Sequence, residues 1–167
     1  MSLRQQLASA LSTQPTPLPA PANLTLAHDV DNLEVDLTAL DSIACAFKRM
    51  ALQTERIRGA ATETLKKVSQ DLSDRVTYLL EAIGPIEIDS EGAVVQLRSI
   101  PPRKDDDGTV YYEMLVRNGG NIELRRWKNT PGGTSRTPLD AEVTREVLLR
   151  LTDDFVAAAK VGEQATP

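Results

Sequence analysis

Apolar residues recur every three or four positions through a long stretch in the first half of the chain. The positions that share this spacing are Leu40, Ile43, Phe47, Met50, Ile57, Ala61, Leu65, Val68, Leu72, Val76, Leu79 and Ile83. Such a period is typical of amphipathic helices, because it places apolar side chains on one helical face. The pattern therefore predicts helical structure before residue 84.

Gly59 interrupts this stretch, and the spacing departs from a strict heptad at the same place. We therefore expect two helices, residues 38–57 and residues 62–83, with Gly84-Pro85 ending the second. A strand over residues 47–54 is the alternative for part of the first helix. The two helices either pack on each other as a hairpin or leave apolar surface that needs a partner.

After residue 85 the period of apolar positions changes to two, which indicates strands. The alternating apolar residues are Ile86 and Ile88, then Val95 and Leu97, then Val110, Tyr112, Met114 and Val116, and finally Ile122 and Leu124. Asp89-Ser90-Glu91-Gly92 has the composition of a hairpin loop between the first two strands. The block predicts a four-stranded antiparallel meander.

The loop between the third and fourth strands fixes their register, because apolar side chains of both strands must share one face. A three-residue loop at 118–120 pairs Val116 with Ile122 and Met114 with Leu124. On the other face it sets Glu113 opposite Arg125 and Tyr111 opposite Trp127. Two-residue loops would place apolar residues opposite polar ones, so we expect three.

The longer loop 101–108 leaves the register between the second and third strands less constrained. Pairing Ile100 with Thr109 sets Leu97 opposite Tyr112 and Arg98 opposite Tyr111. Arg98, Tyr111 and Trp127 then form a row on the face that points away from the apolar positions.

The C-terminal part predicts one more helix. Thr137-Pro138-Leu139-Asp140 resembles a helix start, with an N-cap followed by Pro. The apolar stripe of that helix consists of Val143, Val147, Leu148, Leu151, Phe155 and Ala158, and Gly162 ends it.

These elements predict an α+β fold with two N-terminal helices, a four-stranded antiparallel meander sheet and a C-terminal helix packed on one sheet face. Prolines at every second position from 15 to 21 favour an extended segment. We therefore expect a disordered proline-rich tail over residues 1–27, a single domain over 28–161 and a disordered tail over 162–167. Leu3, Leu7 and Leu11 are also compatible with a short amphipathic helix before the prolines.

The chain has 167 residues, one Cys, one His and a formal net charge of -5. A lone Cys45 and a lone His28 leave too few ligands for a zinc site, and Cys45 lies on an apolar stripe, where Cys commonly serves as a small hydrophobe. The acids of Asp105-Asp106-Asp107-Gly108 are adjacent rather than at the alternate positions of a calcium loop. The glycine pairs lack the spacing of a nucleotide site. The sequence thus indicates no catalytic residue, no cofactor and no metal.

Charge is unevenly distributed along the chain. Residues 96–136 contain eight basic and five acidic residues, which gives a local charge of +3 in a chain of -5. Three of the six aromatic residues fall in the same segment. The candidate binding face on the outward side of the sheet consists of Arg98, Tyr111, Glu113, Arg125 and Trp127. It could be a solvated sheet face, a protein interface or a platform for stacking bases.

We therefore expect a non-catalytic protein-interaction or assembly module that binds a protein partner or associates with itself. Weak binding of single-stranded nucleic acid through the basic, aromatic outer face is the alternative. The first residues lack a secretory signal and no window approaches the roughly 18 apolar residues of a membrane span, so we expect a cytoplasmic protein that does not bind membranes.

Overall fold

Three helices and ten strands form in residues 1–166, the part of the chain that the computed structural model describes. The helices are α1 (Leu3–Thr13), α2 (Thr62–Arg75) and α3 (Arg145–Ala165). The strands are β1 (Ala22–His28), β2 (Asp31–Leu40), β3 (Ala44–Arg58), β4 (Ile83–Asp89), β5 (Val94–Ser99), β6 (Arg103–Asp105), β7 (Gly108–Arg117), β8 (Gly119–Asn129), β9 (Arg136–Leu139) and β10 (Ala141–Thr144).

The strands form one antiparallel sheet in the order β1-β2-β3-β8-β7-β5-β4. The short strands β6, β9 and β10 pair with β7, β8 and β3, respectively. The two halves of the chain join where β3 pairs with β8, at Met50 opposite Leu124 and Leu52 opposite Ile122. The strands β1 and β4 lie at the two ends of this order.

The three helices cover one face of the sheet and share a single apolar core with it. In β2, for example, Leu33, Val35 and Leu37 alternate with polar residues and are fully buried. This period of two places apolar side chains towards the helices and polar ones on the opposite, outward face. The fold therefore has two layers, and the outward sheet face carries mainly polar side chains, of which Glu113, Asn121 and Glu123 are buried.

The expected fold, with two N-terminal helices and a four-stranded sheet, is wrong. Residues 38–57 contain the end of β2 and nearly all of β3, so the alternative of a strand over residues 47–54 is the correct one. Lys48 has no partner in β2, because Leu37 pairs with Phe47 while Asp36 pairs with Arg49. This β-bulge turns both Phe47 and Met50 into the core, three positions apart. A bulged strand thus imitates the spacing of a helix.

The second helix ends earlier than its apolar pattern predicts. α2 ends at Arg75, whereas Val76, Leu79 and Ile83 remain buried in the segment that follows and in β4. Gly84-Pro85 consequently lies inside β4 rather than at a helix end. Gly59, predicted as an interruption, has a φ of 73° and separates β3 from α2.

The predicted meander strands form as β4, β5, β7 and β8. The register of the β7–β8 hairpin is confirmed, with Val116 opposite Ile122 and Tyr111 opposite Trp127. The expected register between β5 and β7 is wrong by two residues, because Arg98 lies opposite Glu113 rather than Tyr111. A shift of two preserves the faces, so Arg98 still lies on the outward side.

Both ends of the chain contribute elements to the core. The expected tail over residues 1–27 contains α1 and β1, and Leu3, Leu7 and Leu11 are buried. The expected start of the last helix near residue 138 is wrong, because β9 and β10 occupy that stretch and Thr144 caps α3. Of the expected tail 162–167, α3 includes residues up to Ala165, and Pro167 lies outside the described residues.

Candidate protein-interaction surfaces

The five residues of the candidate binding face lie together on the outward side of three adjacent strands. Arg98 is in β5 opposite Glu113 in β7, which is opposite Arg125 in β8. Tyr111 and Trp127 form the next outward pair. We call this set, Arg98, Tyr111, Glu113, Arg125 and Trp127, the outer-face group.

Glu113 is the centre of the hydrogen bonding in the outer-face group. Its Oε2 accepts hydrogen bonds from Gln96 at 2.6 Å, from Arg136 at 2.8 Å and from Arg98 at 3.2 Å. Only 3% of its side chain is exposed. Burial by itself would raise the pKa of this carboxyl, but the hydrogen bonds from Arg136 and Gln96 and the charge of Arg98 outweigh burial and lower the pKa.

Both aromatic rings of the outer-face group are covered by arginines of the chain itself. The guanidinium carbon of Arg98 lies 4.7 Å from the ring centroid of Tyr111, and that of Arg136 lies 3.8 Å from the ring of Trp127. Tyr111 is 2% exposed. A nucleic-acid base would have to displace these cation–π contacts before it could stack there.

Arg136 is a member of this cluster that the sequence did not identify. It reaches the outer-face group because β9 pairs with β8, which sets Arg136 opposite Asn129. The stretch was expected to start a helix, and its Thr and Pro content gave no sign of a strand. The pairing of β9 is thus decided by tertiary structure.

Glu113 and Arg125 lie opposite each other, as the predicted register requires, but they do not form an ion pair. Arg125 instead contacts Glu123 at 2.9 Å, and Glu123 also accepts a hydrogen bond from Arg49 at 2.6 Å. Arg49 further contacts Glu34. Burial would raise the pKa of Glu123, but the hydrogen bonds from Arg49 and Arg125 outweigh it and lower the pKa.

The outward face is therefore a network in which arginines and carboxylates largely neutralise one another. A shallow depression of about 460 Å³ lies beside it, lined by Arg49, Gln53, Gly92, Val94, Arg117, Asn118, Gly119, Asn121 and Glu123. Because most of the charge is paired, the local excess of basic residues counted along the sequence overstates the field that a phosphate backbone would meet.

Cys45 and His28 lie in different parts of the fold. Cys45 is in β3 opposite Val143 of β10, and burial raises the pKa of its thiol to about 11. His28 lines a cleft of about 330 Å³ with Asp29, Asp31 and Arg56. The guanidinium of Arg56 is already bonded to both aspartates there. No group of three or more His, Cys, Asp or Glu side chains in residues 1–166 could hold a metal ion.

A different surface exposes apolar side chains at the β4 end of the sheet. Four of the six large hydrophobic residues that are exposed within the described part of the chain are Leu80, Ile86, Ile88 and Ile100. Leu80 is 98% exposed and has a φ of 64°, which is unfavourable for a residue with a side chain.

Leu80 and Ile100 lie at the end of the sheet where β4 begins, and Ile86 and Ile88 lie further along β4. The amide of Ile100 donates to the carbonyl of Ala82, two residues after Leu80, and a Cβ placed on Gly84 would lie 3.3 Å from Ile100 Cδ1. Ile86 forms a bulge in β4, and Ile88 lies opposite Val95 of β5, on the helix side of the sheet. We call Leu80, Ile86, Ile88 and Ile100 the β4-edge strip.

The β4-edge strip borders an edge strand, because β4 pairs with β5 and with no other strand in residues 1–166. An edge strand carries backbone N–H and C=O groups that are not paired within the sheet. Natural sheets usually protect such edges with lysines, prolines or covering segments. Here Pro85 gives partial protection at one end, whereas the stretch after the bulge remains open.

Acidic side chains accompany the strip. Glu87 lies opposite Gln96 and Asp89 opposite Val94, so both are on the outward face, and Glu91 follows in the turn. Within the described residues none of these three acids takes part in an ion pair. Residues 76–97 contain no Lys or Arg. The alternation of Ile86 and Ile88 predicts this strand but not its edge position, since strand order is not visible in the pattern.

Comparison with protein-family models, with curated proteins and with solved structures finds no match to this chain. Among residues 1–166, the helices are all too short or too polar to cross a membrane.

Proposed function

We propose that the protein is a non-catalytic protein-interaction module that binds an extended polypeptide segment along the free edge of β4. The observation that carries this proposal is the β4-edge strip: Ile86 and Ile88 are exposed on a strand whose outer edge is unpaired, and Leu80 and Ile100 are exposed where that strand begins. Addition of a strand to such an edge gives affinity through main-chain hydrogen bonds, while neighbouring side chains give selectivity.

The energy available at this edge supports the proposal. Apolar surface releases roughly 25 cal/mol per Å² when it leaves water, so burial of several isoleucine and leucine side chains stabilises a complex substantially. Leu80 contributes no contact to the core that would explain its strained backbone, because it is almost fully exposed. A partner that covers Leu80 would give that conformation a function.

The expected surplus of apolar helix does not support self-association. Three of the twelve positions of that apolar pattern, Phe47, Met50 and Ile57, belong to β3. Most of the others are buried in β2, α2, β4 and the segment between α2 and β4. Nucleic-acid binding at the outer-face group has less support, because Arg98 and Arg136 cover its two rings and Glu113 neutralises part of their charge.

The test is selection from a phage-displayed library of random peptides as long as β4, which has seven residues. We expect the wild-type protein to enrich a defined set of peptides and Ile88→Lys to enrich none, since a lysine at an edge opposes strand addition. Ile43→Lys is the matched control, because Ile43 is exposed in the turn between β2 and β3, away from the strip. It should enrich the same peptides as wild type.

Two results would overturn the proposal: no enrichment by any protein, or equal enrichment by wild type and Ile88→Lys. An oligothymidylate binding assay covers the alternative. Binding that weakens with salt, is lost in Trp127→Ala and is unchanged in Ile88→Lys would favour nucleic acid instead. Circular dichroism of each variant verifies that it is folded.

A further inference from the structure

We infer that the segment bound at β4 is an extended strand in which apolar residues alternate with Lys or Arg. This inference rests on the proposed function and names the chemistry of the partner. It follows from the distribution of side chains on the two faces of β4 beyond its bulge.

The two faces of β4 differ in character after the bulge at Ile86. Ile88 lies on the helix side opposite Val95, whereas Glu87 and Asp89 lie on the outward side opposite Gln96 and Val94. A strand that adds to β4 continues this pleat, so its side chains also alternate between the two faces. Those beside Ile88 meet apolar surface, and those beside Glu87 and Asp89 meet carboxylates.

Charge complementarity decides which polar residues fit the outward positions. Glu87, Asp89 and Glu91 have no basic neighbour in an ion pair within residues 1–166, and residues 76–97 contain four acids and no Lys or Arg. Lysine or arginine at alternate positions of the partner would compensate this charge, and acidic residues there would be repelled.

A second copy of this chain does not meet that requirement. Antiparallel pairing of β4 with its own copy, centred on Ile88, sets Glu87 of one copy opposite Asp89 of the other. Centring on Glu87 sets the two identical glutamates opposite each other. Centring on Asp89 likewise sets two aspartates opposite each other. Like charges directly opposite on a sheet are destabilising, so all three registers centred on residues 87–89 are opposed.

The experiment uses three synthetic seven-residue peptides with blocked ends, matched to the length of β4. The alternating basic peptide is Lys-Ile-Lys-Val-Lys-Ile-Lys, and the acidic one replaces each Lys with Glu. The third, Lys-Lys-Lys-Lys-Ile-Val-Ile, has the same composition as the first without the alternation. Binding to the full chain is measured by calorimetry at low salt, and amide hydrogen exchange locates it.

We expect the alternating basic peptide to bind at least about fivefold more tightly than either other peptide, and to slow amide exchange in β4. Glu87→Lys should remove this preference or transfer it to the acidic peptide. Glu142→Lys is the matched control, because Glu142 is an exposed strand glutamate in β10, which pairs with β3. It should leave the preference unchanged.

Equal binding of the basic and acidic peptides would overturn this inference. An equal loss of the preference for the basic peptide in Glu87→Lys and Glu142→Lys would overturn it too. The peptide library separates it from the proposed function. Enriched peptides that depend on Ile88 but lack alternating Lys or Arg would refute the inference and leave the proposed function standing. No enrichment at all would refute both. Dimerisation that Ile88→Lys abolishes would replace the basic segment by a second copy.

Discussion

Replacing Glu113 with Gln removes the negative charge that holds two arginines on the outward sheet face. The carboxylate accepts three hydrogen bonds on one oxygen, and two of them come from Arg98 and Arg136. Gln has almost the same shape and can still accept a hydrogen bond, so the substitution tests the charge rather than the packing. Arg136 also covers the ring of Trp127, so its position should change when the charge is lost.

The expected magnitude follows from burial. A hydrogen bond to a charged group contributes roughly 1.5–3 kcal/mol, and Gln keeps part of it. The side chains of Arg98 and Arg136 are 34% and 36% exposed, so water can solvate them again after the charge is removed. We therefore expect Glu113→Gln to lower the free energy of unfolding by about 1–2 kcal/mol. For a chain of this length, that corresponds to a decrease of about 2–8 °C in Tm.

The assay is urea unfolding followed by far-ultraviolet circular dichroism and by fluorescence. The chain has a single tryptophan, so Trp127 reports directly on the outer-face group. We expect the native fluorescence of Glu113→Gln to differ from wild type, because Arg136 no longer holds its place over the indole. Glu142→Gln, at an exposed strand position, should leave both the fluorescence and the unfolding midpoint unchanged.

The stability difference between wild type and Glu113→Gln should depend on pH. The pKa of Glu113 is lowered in the folded protein, so the ionised carboxylate stabilises the fold. This contribution to the free energy of unfolding is complete above the unfolded pKa of about 4.3 and is lost as the pH falls through the folded pKa. The difference between wild type and Glu113→Gln should therefore shrink in acid. An unchanged midpoint at neutral pH, or a difference that persists after the carboxyl is protonated, would refute the reasoning.

Three further predictions concern buried parts of the fold. Gly162→Ala should lower the free energy of unfolding by up to about 2 kcal/mol, because overpacking outweighs the gain in helix propensity. The new Cβ would lie 2.5 Å from Ile57 Cγ2 and 2.7 Å from Val68 Cγ2. Urea unfolding measures this decrease. In the double variant with Val68→Ala, the decreases caused by the two substitutions should be less than additive. Cys45, with a pKa of about 11 and little exposure, should react with iodoacetamide only after unfolding, as judged by mass spectrometry. Arg56→Ala should lower the free energy of unfolding by about 3 kcal/mol, because it leaves the buried carboxylate of Asp31 without its arginine. Arg58 is exposed, so Arg58→Ala should lower it by less than about 0.5 kcal/mol in the same assay.

The meander strands could be predicted from the sequence because the pattern that specifies them is local. A period of two, a three-residue turn and the requirement that apolar faces coincide were enough to pair Val116 with Ile122 and Tyr111 with Trp127. The long loop between β5 and β7 gave no such constraint, and there the register was wrong by two residues. Local patterning thus specifies a register only where a short turn connects the strands.

The candidate site was predicted in part for the same reason. The sequence placed Arg98, Tyr111, Glu113, Arg125 and Trp127 on one face, and the structure brings them together there. It could not supply Arg49 or Arg136, which arrive from β3 and β9 through pairings between distant parts of the chain. Those two arginines determine which carboxylates are paired and whether the aromatic rings are open.

By itself, the sequence determined the alternation of four strands and the apolar stripe of the C-terminal helix. Only the tertiary structure decided that residues 44–58 form a strand, because a bulge at Lys48 gives this strand the apolar spacing of a helix. It also decided which strand lies at the edge. Strand order depends on contacts between distant segments, so the exposed, acidic edge of β4 emerges only once β3 pairs with β8 and leaves β4 at the end of the sheet.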